Sequence, residues 1–173
     1  VRRQIKEYFP RTLIFPGAGH LAKCWPLDNY LKLADWLAGA GIDPVFVLGP
    51  AERERGLEVQ NFQLLQPMDF QQLQCALNHA DLVVGNDSGP LHLAGFQNCK
   101  GVVLFGPAAA RQWGPVGLSH IQSNVPCSPC TRIGRIHCLH PVCMDSISLP
   151  RVQKEILALI NEGQKGTEKR KGG

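Results

Sequence analysis

The sequence predicts an α/β fold built on a doubly wound parallel sheet. Short apolar runs alternate along the chain with longer stretches whose apolar residues recur at helical spacing, as in strands joined by crossover helices. Most of the apolar runs end at a turn that contains Gly or Pro. The chain has 173 residues, of which 44% are hydrophobic and 18% are charged. This length and composition suit one globular domain with a single core.

The strands are predicted from apolar runs that are short and bounded by turn residues. In chain order they lie at residues 12–15, 45–48, 62–65, 82–84 and 102–105, and the run at 62–65 is the weakest. Gly and Pro follow the first, second and last of these runs directly, so each chain segment turns sharply as it leaves the sheet.

The helices are predicted from apolar periodicity and from their end signals. Pro26 starts the first helix, because proline is favoured in the first turn, and Gly39 and Gly41 end it. Asp69 caps a helix that runs to about His79. The remaining helices are predicted at residues 52–56, 88–96 and 150–160.

Residues 1–163 are predicted to form the folded domain. Within it, residues 107–149 are rich in Pro and Cys and lack clear periodicity, so we expect a long loop that is functional or held by a metal. Residues 164–173 hold four cations and one anion and are predicted to be a disordered basic tail. This tail supplies +3 of the net charge of +4. The nearly neutral body excludes nucleic acid as an expected partner.

The sequence carries no segment that predicts membrane insertion or export. No apolar run reaches the ~20 residues of a transmembrane helix, and the first residues lack the apolar core of a secretory signal. The seven cysteines are an odd number, which does not suit a secreted disulfide framework. We therefore expect a cytoplasmic protein with reduced thiols.

Three loops that follow predicted strands are candidates for ligand binding, because ligands bind at the carboxyl ends of the strands in such sheets. The first loop contains Ala18 and Gly19 and leads to Lys23, whose ammonium group can bind a phosphate. The second loop contains Glu52. All three loops are expected to lie at the same edge of the sheet.

The third loop contains Asp87, Ser88 and Gly89 at the start of a predicted helix. The free N–H groups and the positive end of the helix dipole favour an anion there. His92 lies four residues after Ser88 and therefore on the same helix face. Together with Lys23, these residues predict a site for a diphosphate.

Each of these residues also has a purely structural interpretation. A Pro-Gly sequence after a strand is commonly a simple turn, and Asp87 and Ser88 commonly cap a helix. His92 could be an ordinary core histidine, and Lys23 could be a solvated surface charge. Only their joint placement at strand ends favours the binding site.

A dinucleotide-binding motif is a weaker alternative. Residues 17–22 fit the G-x-G-x-x-A variant of the fingerprint, but Pro26 starts the helix too late for the small residue to pack against the strand. No acidic residue ends the second predicted strand, where it would bind a ribose hydroxyl. An NAD-binding Rossmann oxidoreductase therefore stays an alternative with little support.

Four cysteines in the segment 107–149 have a spacing that can bind zinc. They are Cys127, Cys130, Cys138 and Cys143, and they are interleaved with His137 and His140. A tetrahedral zinc ion would hold the long loop together, although the middle spacing is shorter than in zinc fingers. The same pattern also fits four reduced thiols. A zinc-stapled interaction module built on residues 127–143 is thus a second alternative function.

Four motifs, taken in order, resemble a known family. They are FPGAGHLAKCWPLDNY at residues 15–30, VFVLGPAE at 45–52, GNDSGPLHLA at 85–94 and LFGP at 104–107. The combination resembles the C-terminal half of glycosyltransferase family 9, which contains the ADP-heptose:lipopolysaccharide heptosyltransferases. The similarity extends from about residue 15 to residue 152. The family has a GT-B fold, in which two Rossmann-like domains face each other across a cleft.

The resemblance implies that this chain is the domain that binds the nucleotide-sugar donor, with ADP-heptose as the expected donor. Carried over by position, Lys23 contacts the donor phosphates and the backbone of Ala18 and Gly19 closes on them. By the same comparison, Glu52 holds the nucleoside ribose and Met68 lines the base pocket.

The remaining residues carried over from the family are those of the third loop. Asp87, Ser88, Gly89 and His92 match the segment that grips the diphosphate and the donor sugar. One departure is that some heptosyltransferases have hydroxyl residues where this chain has Ala and Gly at positions 18 and 19. Side-chain hydrogen bonds to the phosphates are lost at those two positions.

The resemblance also implies the chemistry. Glycosyl transfer with inversion needs a general base, which in such enzymes lies on the N-terminal acceptor-binding domain, and a group that stabilises the departing diphosphate. Lys23 and His92 suit the second task without a cofactor, and the Asp-x-Asp pair of metal-dependent transferases is missing from the sequence. The isolated chain is therefore expected to bind nucleotide without turnover. The implied acceptor is of the lipopolysaccharide type, and the implied location is the cytoplasm or the surface of the inner membrane.

Overall fold

A computed structural model describes residues 11–67, 69–130, 138 and 140–159. It contains a parallel sheet of six strands. Their bounds are β1 Thr12–Phe15, β2 Val45–Val47, β3 Gln63–Leu65, β4 Leu82–Asn86, β5 Lys100–Phe105 and β6 Ser119–Gln122. The strand order is β3-β2-β1-β4-β5-β6, which is the order of the Rossmann fold. The predicted doubly wound parallel sheet is confirmed.

Helices connect the strands and cover both faces of the sheet. In chain order they are α1 Leu27–Ala38, α2 Pro50–Glu54, α3 Phe70–Asn78, α4 Gly89–Phe96, α5 Ala110–Trp113 and α6 Val142–Asp145, followed by α7 at 149–159. A short 3₁₀ turn, Leu21–Lys23, lies between β1 and α1. Each of the five predicted helices has a counterpart in this set, and the ends that lie within the described residues agree to within two residues.

The core has two halves, one on each face of the sheet, because successive residues of a buried strand point to opposite faces. In β1, Ile14 packs in one half together with Tyr30 of α1 and Ile156 of α7. Its neighbours Leu13 and Phe15 pack in the other half, with residues of α3 and α4. The continuous apolar runs of the sequence therefore reflect strands that are buried on both faces.

The expectation of one irregular loop over residues 107–149 is wrong in part. That segment contains α5, β6 and α6. β6 lies at one edge of the sheet, and Ile121 is its only buried residue, so it lacks the apolar run by which the other strands are recognised. The side chain of Gln122 ties this region to the sheet: its Nε2 donates to the carbonyl oxygen of Gly106 at 3.1 Å, and its Oε1 accepts from the N–H of Ala110 at 2.8 Å. The basic tail predicted at 164–173 lies outside the described residues.

A bidentate ion pair joins the starts of β1 and β4, the two strands at the centre of the sheet. The Arg11 guanidinium contacts both carboxylate oxygens of Asp81, at 2.8 and 2.7 Å. These hydrogen bonds lower the pKa of Asp81 and raise that of Arg11. Within the described ranges, no helix combines the length and the apolar character needed to span a bilayer.

We predict that Gly101→Ala destabilises the fold while Gly39→Ala does not. A Cβ atom at Gly101 of β5 would come within 2.5 Å of the Val83 carbonyl oxygen of β4 and would press on the Val83 side chain. Overpacking of this kind costs about 1–3 kcal/mol. Gly39 has a helical φ of −61° and ordinary contacts around the added atom, so its variant should stay within about 1 kcal/mol. Urea unfolding measures both, and equal stabilities of the two variants would contradict the packing argument.

Candidate functional site

A pocket of about 160 Å³ opens at the carboxyl ends of β1, β2, β3 and β4. The loops that follow these four strands all contribute to its wall. β1 lies between β2 and β4 in the sheet, so the chain leaves it in one direction and returns on its other side. Such a switch point leaves a crevice between the diverging loops, where doubly wound folds bind their ligands. Four of the predicted site residues line the pocket, namely Ala18, Gly19, Glu52 and Ser88.

Lys23, Asp87 and His92, which we call the charged cluster, meet beside this pocket. The ammonium group of Lys23 lies 2.6 Å from one carboxylate oxygen of Asp87, and Nε2 of His92 lies 3.7 Å from the other. Asp87 is 8% exposed, whereas the other two side chains are more open to solvent. Lys23 and Asp87 thus lie together although they are 64 positions apart in the chain, as the diphosphate prediction requires.

Ser88 and Gly89 form the amino end of α4, next to the charged cluster. Ser88 is the N-cap residue, but its hydroxyl does not cap the helix. Its Oγ is buried and has no hydrogen-bond partner among the described residues. A buried hydroxyl without a partner is costly, and the first N–H groups of a helix also need an acceptor. Both features favour an anion at this end of α4.

Glu52 closes the pocket from the side of β2. Its Oε2 accepts a hydrogen bond of 2.9 Å from the N–H of Gly49, at the start of α2. Its other oxygen packs against Gly17, where a Cβ atom would collide with it. Gly17 is therefore needed so that this carboxylate can approach the first loop. Glu52 is in a place where it could accept hydrogen bonds from hydroxyl groups of a ligand in the pocket.

The rest of the pocket wall is apolar. Val47, Pro67, Leu73 and Pro90 line it, and a slot of this kind suits a flat, apolar ring such as a nucleobase. Met68, which the resemblance places in the base pocket, lies outside the described residues.

Sequence reasoning missed the buried side chain of Asn86, which ends β4. Its Oδ1 accepts from the N–H of Trp25 and from the hydroxyl of Tyr30, both at 2.9 Å. Its Nδ2 donates to the carbonyl oxygens of Pro16 and Gly17, at 2.8 and 3.3 Å. One carboxamide thus holds the first loop and the start of α1 against the end of β4. The sequence signal was present, since Asn86 stands between a buried strand and a candidate binding loop.

Arg55 was also missed. It follows α2, and its guanidinium donates to the carbonyl oxygens of Ala18 and Gly19, at 3.0 and 3.5 Å. In the sequence it belongs to the run Glu-Arg-Glu-Arg at 52–55, which is typical of a solvated helix face. Its neighbour Arg53 makes no side-chain hydrogen bond or ion pair among the described residues.

The described residues do not form a metal site at the four cysteines, although Cys127, Cys130 and Cys138 lie near enough to Cys143 for their charges to add to the rise of its pKa that burial causes. Among residues 11–67, 69–130, 138 and 140–159, no three His, Cys, Asp or Glu side chains lie together in an arrangement that could hold a metal ion. Cys127, Cys130 and Cys138 are exposed free thiols. Cys143 is buried, and its burial raises the pKa of its thiol. His137 lies outside the described residues.

Comparison with known proteins assigns the family. The sequence matches the family model of glycosyltransferase family 9 (heptosyltransferase) over residues 2–139. This chain belongs to glycosyltransferase family 9. Its similarity to lipopolysaccharide heptosyltransferase 3 of Escherichia coli K12 is 30% identity over 120 residues, which are 64% of this chain and 34% of that protein.

Solved structures of family members have the same fold. The structure of E. coli ADP-heptose LPS heptosyltransferase II has a TM-score of 0.70 at 23% identity, over 93% of this chain and 51% of that one. E. coli heptosyltransferase WaaC with ADP has a TM-score of 0.68 at 19% identity, over 87% of this chain and 44% of that one. The glycosyltransferase chain described here thus spans about a third to a half of the length of these relatives.

We predict that Asn86→Leu destabilises the chain by about 2–4 kcal/mol, since it leaves several buried groups of the first loop and of Trp25 without partners. Tyr30→Phe is the matched control, because it removes one hydrogen bond to the same amide and keeps the ring. It should cost about 1 kcal/mol. Urea unfolding of both variants measures the difference. A loss for Asn86→Leu no larger than for Tyr30→Phe would mean that the amide does not hold the loops.

Proposed function

We propose that this chain binds a nucleotide-diphosphate sugar, ADP-heptose in particular, and is the donor-binding half of a heptosyltransferase of lipopolysaccharide core synthesis. The observation that carries the proposal is the convergence of Lys23, His92 and the unpartnered hydroxyl of Ser88 beside one pocket. Family membership and the names of the relatives, which include an ADP-heptose transferase and a heptosyltransferase with ADP, support this choice of donor.

The nucleoside part of the donor is assigned to the apolar slot. The adenine ring would pack between Val47 and Pro90, and the ribose hydroxyls would donate to Glu52, which already accepts one hydrogen bond from the backbone of α2. This orientation places the diphosphate next to the first loop and the amino end of α4. In this proposal the apolar slot selects for the nucleobase, and the first and third loops select for the charge of the diphosphate.

The diphosphate is assigned to the charged cluster and the two adjoining loops. Lys23 offers a point charge, Ser88 offers a hydroxyl, and the N–H groups at the start of α4 offer donors aligned with the helix dipole. His92 adds a second positive charge when it is protonated. Asp87 lies between Lys23 and His92, and in this proposal it is the acidic group next to the donor sugar.

The proposed reaction inverts the configuration at the anomeric carbon. An acceptor hydroxyl attacks that carbon from the face opposite to the diphosphate, its proton passes to a general base, and the bond to the diphosphate oxygen breaks with its electron pair. Negative charge then grows on the diphosphate, where Lys23, His92 and the dipole of α4 are already oriented. We propose that these groups supply the positive charge for this step in place of a metal ion.

The acceptor and the general base are assigned to a second, N-terminal half that faces this domain across a cleft. The chain spans about a third to a half of the length of its relatives, and in this proposal residues 1–163 form the donor-binding half alone. A water-soluble donor and a lipid-linked acceptor meet at a membrane surface. We therefore propose that the enzyme acts in the cytoplasm at the inner membrane.

We predict that Lys23→Ala weakens ADP binding by about 1–3 kcal/mol, the scale of a charge-assisted hydrogen bond. Lys32→Ala is the matched control, since Lys32 lies on the exposed face of α1. Binding of adenosine, which has no phosphate, should change little in either variant. Isothermal titration calorimetry gives all four affinities. Equal ADP affinity of the Lys23→Ala and Lys32→Ala variants would remove the phosphate assignment.

The proposal also predicts which nucleotides bind and which conditions matter. The chain should bind ADP more tightly than NAD, because β2 and the two residues after it, Leu48 and Gly49, include no acidic residue, whereas the dinucleotide-binding motif places one at the end of that strand. Addition of EDTA should leave the ADP affinity unchanged, because the binding charges are side chains. Calorimetry with and without EDTA tests both expectations. Tight binding of NAD together with no binding of ADP would favour the oxidoreductase alternative.

A further inference from the structure

Residues 16–19, which we call the phosphate loop, have four carbonyl groups that all accept hydrogen bonds from side chains of other segments. Asn86 Nδ2 binds the first two carbonyl oxygens, at 2.8 and 3.3 Å. The guanidinium of Arg55 binds the next two: Nη1 donates to Ala18 O at 3.0 Å and Nη2 donates to Gly19 O at 3.5 Å. Two side chains from different elements thus fix four consecutive peptide groups.

This arrangement fixes the direction of the N–H groups of the loop. In a trans peptide the carbonyl oxygen and the next N–H point to opposite sides. The N–H of Gly19 therefore points away from Arg55, and the N–H of Ala18 points away from Asn86. The N–H of Ala18 interacts with the Cys24 thiol, whereas the N–H of Gly19 donates to no protein acceptor in the part of the chain that the structure describes. Gly19 lines the pocket, so its N–H is left for a ligand.

Arg55 also differs from Lys23 in its charge environment. Lys23 is paired with Asp87 at 2.6 Å, whereas no carboxylate among the described residues lies within ion-pair distance of Arg55. The charge of Arg55 acts on the nearby Cys24 thiol. Burial raises the pKa of this thiol, and the Arg55 charge opposes that rise. The phosphate loop thus has an unneutralised cation behind its backbone.

We propose that Arg55 is a positioning residue for the diphosphate of the donor: it holds the carbonyls of Ala18 and Gly19 so that the intervening N–H stays free to bind a phosphate oxygen. This inference rests on the proposed function of the pocket and adds a residue to it. Arg55 binds the loop and not the ligand. The planar guanidinium group of Arg55 suits this role, because its two N–H donors are held rigidly and can reach two adjacent carbonyl oxygens.

The test compares Arg55→Ala and Arg55→Lys with the unmodified chain, and it uses Arg53→Ala as the matched control, because Arg53 is an exposed arginine in the last turn of α2. Calorimetry with ADP and with adenosine reports the phosphate and nucleoside parts separately, and thermal unfolding reports the fold. Arg55→Ala should weaken ADP binding about tenfold, the size of one charge-assisted hydrogen bond. Adenosine binding and the melting temperature should stay close to those of the unmodified chain, because Arg55 is exposed.

The lysine variant separates positioning from charge. A single ammonium group keeps the charge but lacks the two rigidly held donors, so Arg55→Lys should still bind ADP several-fold more weakly than the unmodified chain. Full affinity in Arg55→Lys would overturn the positioning role, as would an equal loss for adenosine and ADP or an equal loss in Arg53→Ala. Failure of the unmodified chain to bind ADP would instead overturn the proposed function, so the two results are distinguishable.

Discussion

The buried carboxamide of Asn86 is the interaction on which the geometry of the site depends. The sheet itself is specified by apolar strands that are buried on both faces, and such a sheet would form with many different loops at its carboxyl edge. Asn86 uses both of its polar atoms to join three of these segments: the end of β4, the phosphate loop and the start of α1. Because three of these four bonds are buried and the fourth is partly buried, water cannot replace them without opening the fold. A polar group in the core thus fixes the position of a site at the surface.

The electrostatics of the site favour a ligand that carries more than one negative charge. Lys23 already has a carboxylate partner in Asp87, at 2.6 Å, so an anion that binds Lys23 must compete with an internal one. A singly charged anion gains little from this exchange, since the ion pair that it replaces is comparable in strength. A diphosphate can contact Lys23 and the amino end of α4 together. In the proposed complex, Asp87 therefore contributes to selectivity by making weak anions poor competitors.

The fold could be predicted from the sequence where burial leaves a periodic signal, and the site could be predicted only where a residue type points to chemistry. β1, β4 and β5 are buried on both faces and read as continuous apolar runs. β6 could not be predicted, because Ile121 is its one apolar residue and no apolar run marks it. Lys23 and His92 were found because cations near a helix start suggest phosphate. Asn86 and Arg55 act on backbone carbonyls, and no local pattern shows which distant carbonyl a side chain will bind. For the same reason, the spacing of Cys127, Cys130, Cys138 and Cys143 could not establish whether their sulfurs meet.

The composition of the phosphate loop explains why its backbone must be held so firmly. The phosphate loop contains Ala18 and Gly19, so its only donors are peptide N–H groups. A hydroxyl can rotate toward a ligand, whereas a peptide N–H points where the chain directs it. Glycine at positions 17 and 19 allows the backbone many conformations, in which the peptide N–H groups point in different directions. Ordering such a backbone costs about 1–2 kcal/mol per residue. The bonds from Asn86 and Arg55 order the loop during folding, so in the proposed complex no further ordering of the loop is needed on binding. A loop without side-chain donors is therefore suited to binding phosphate only because its carbonyls are already bound.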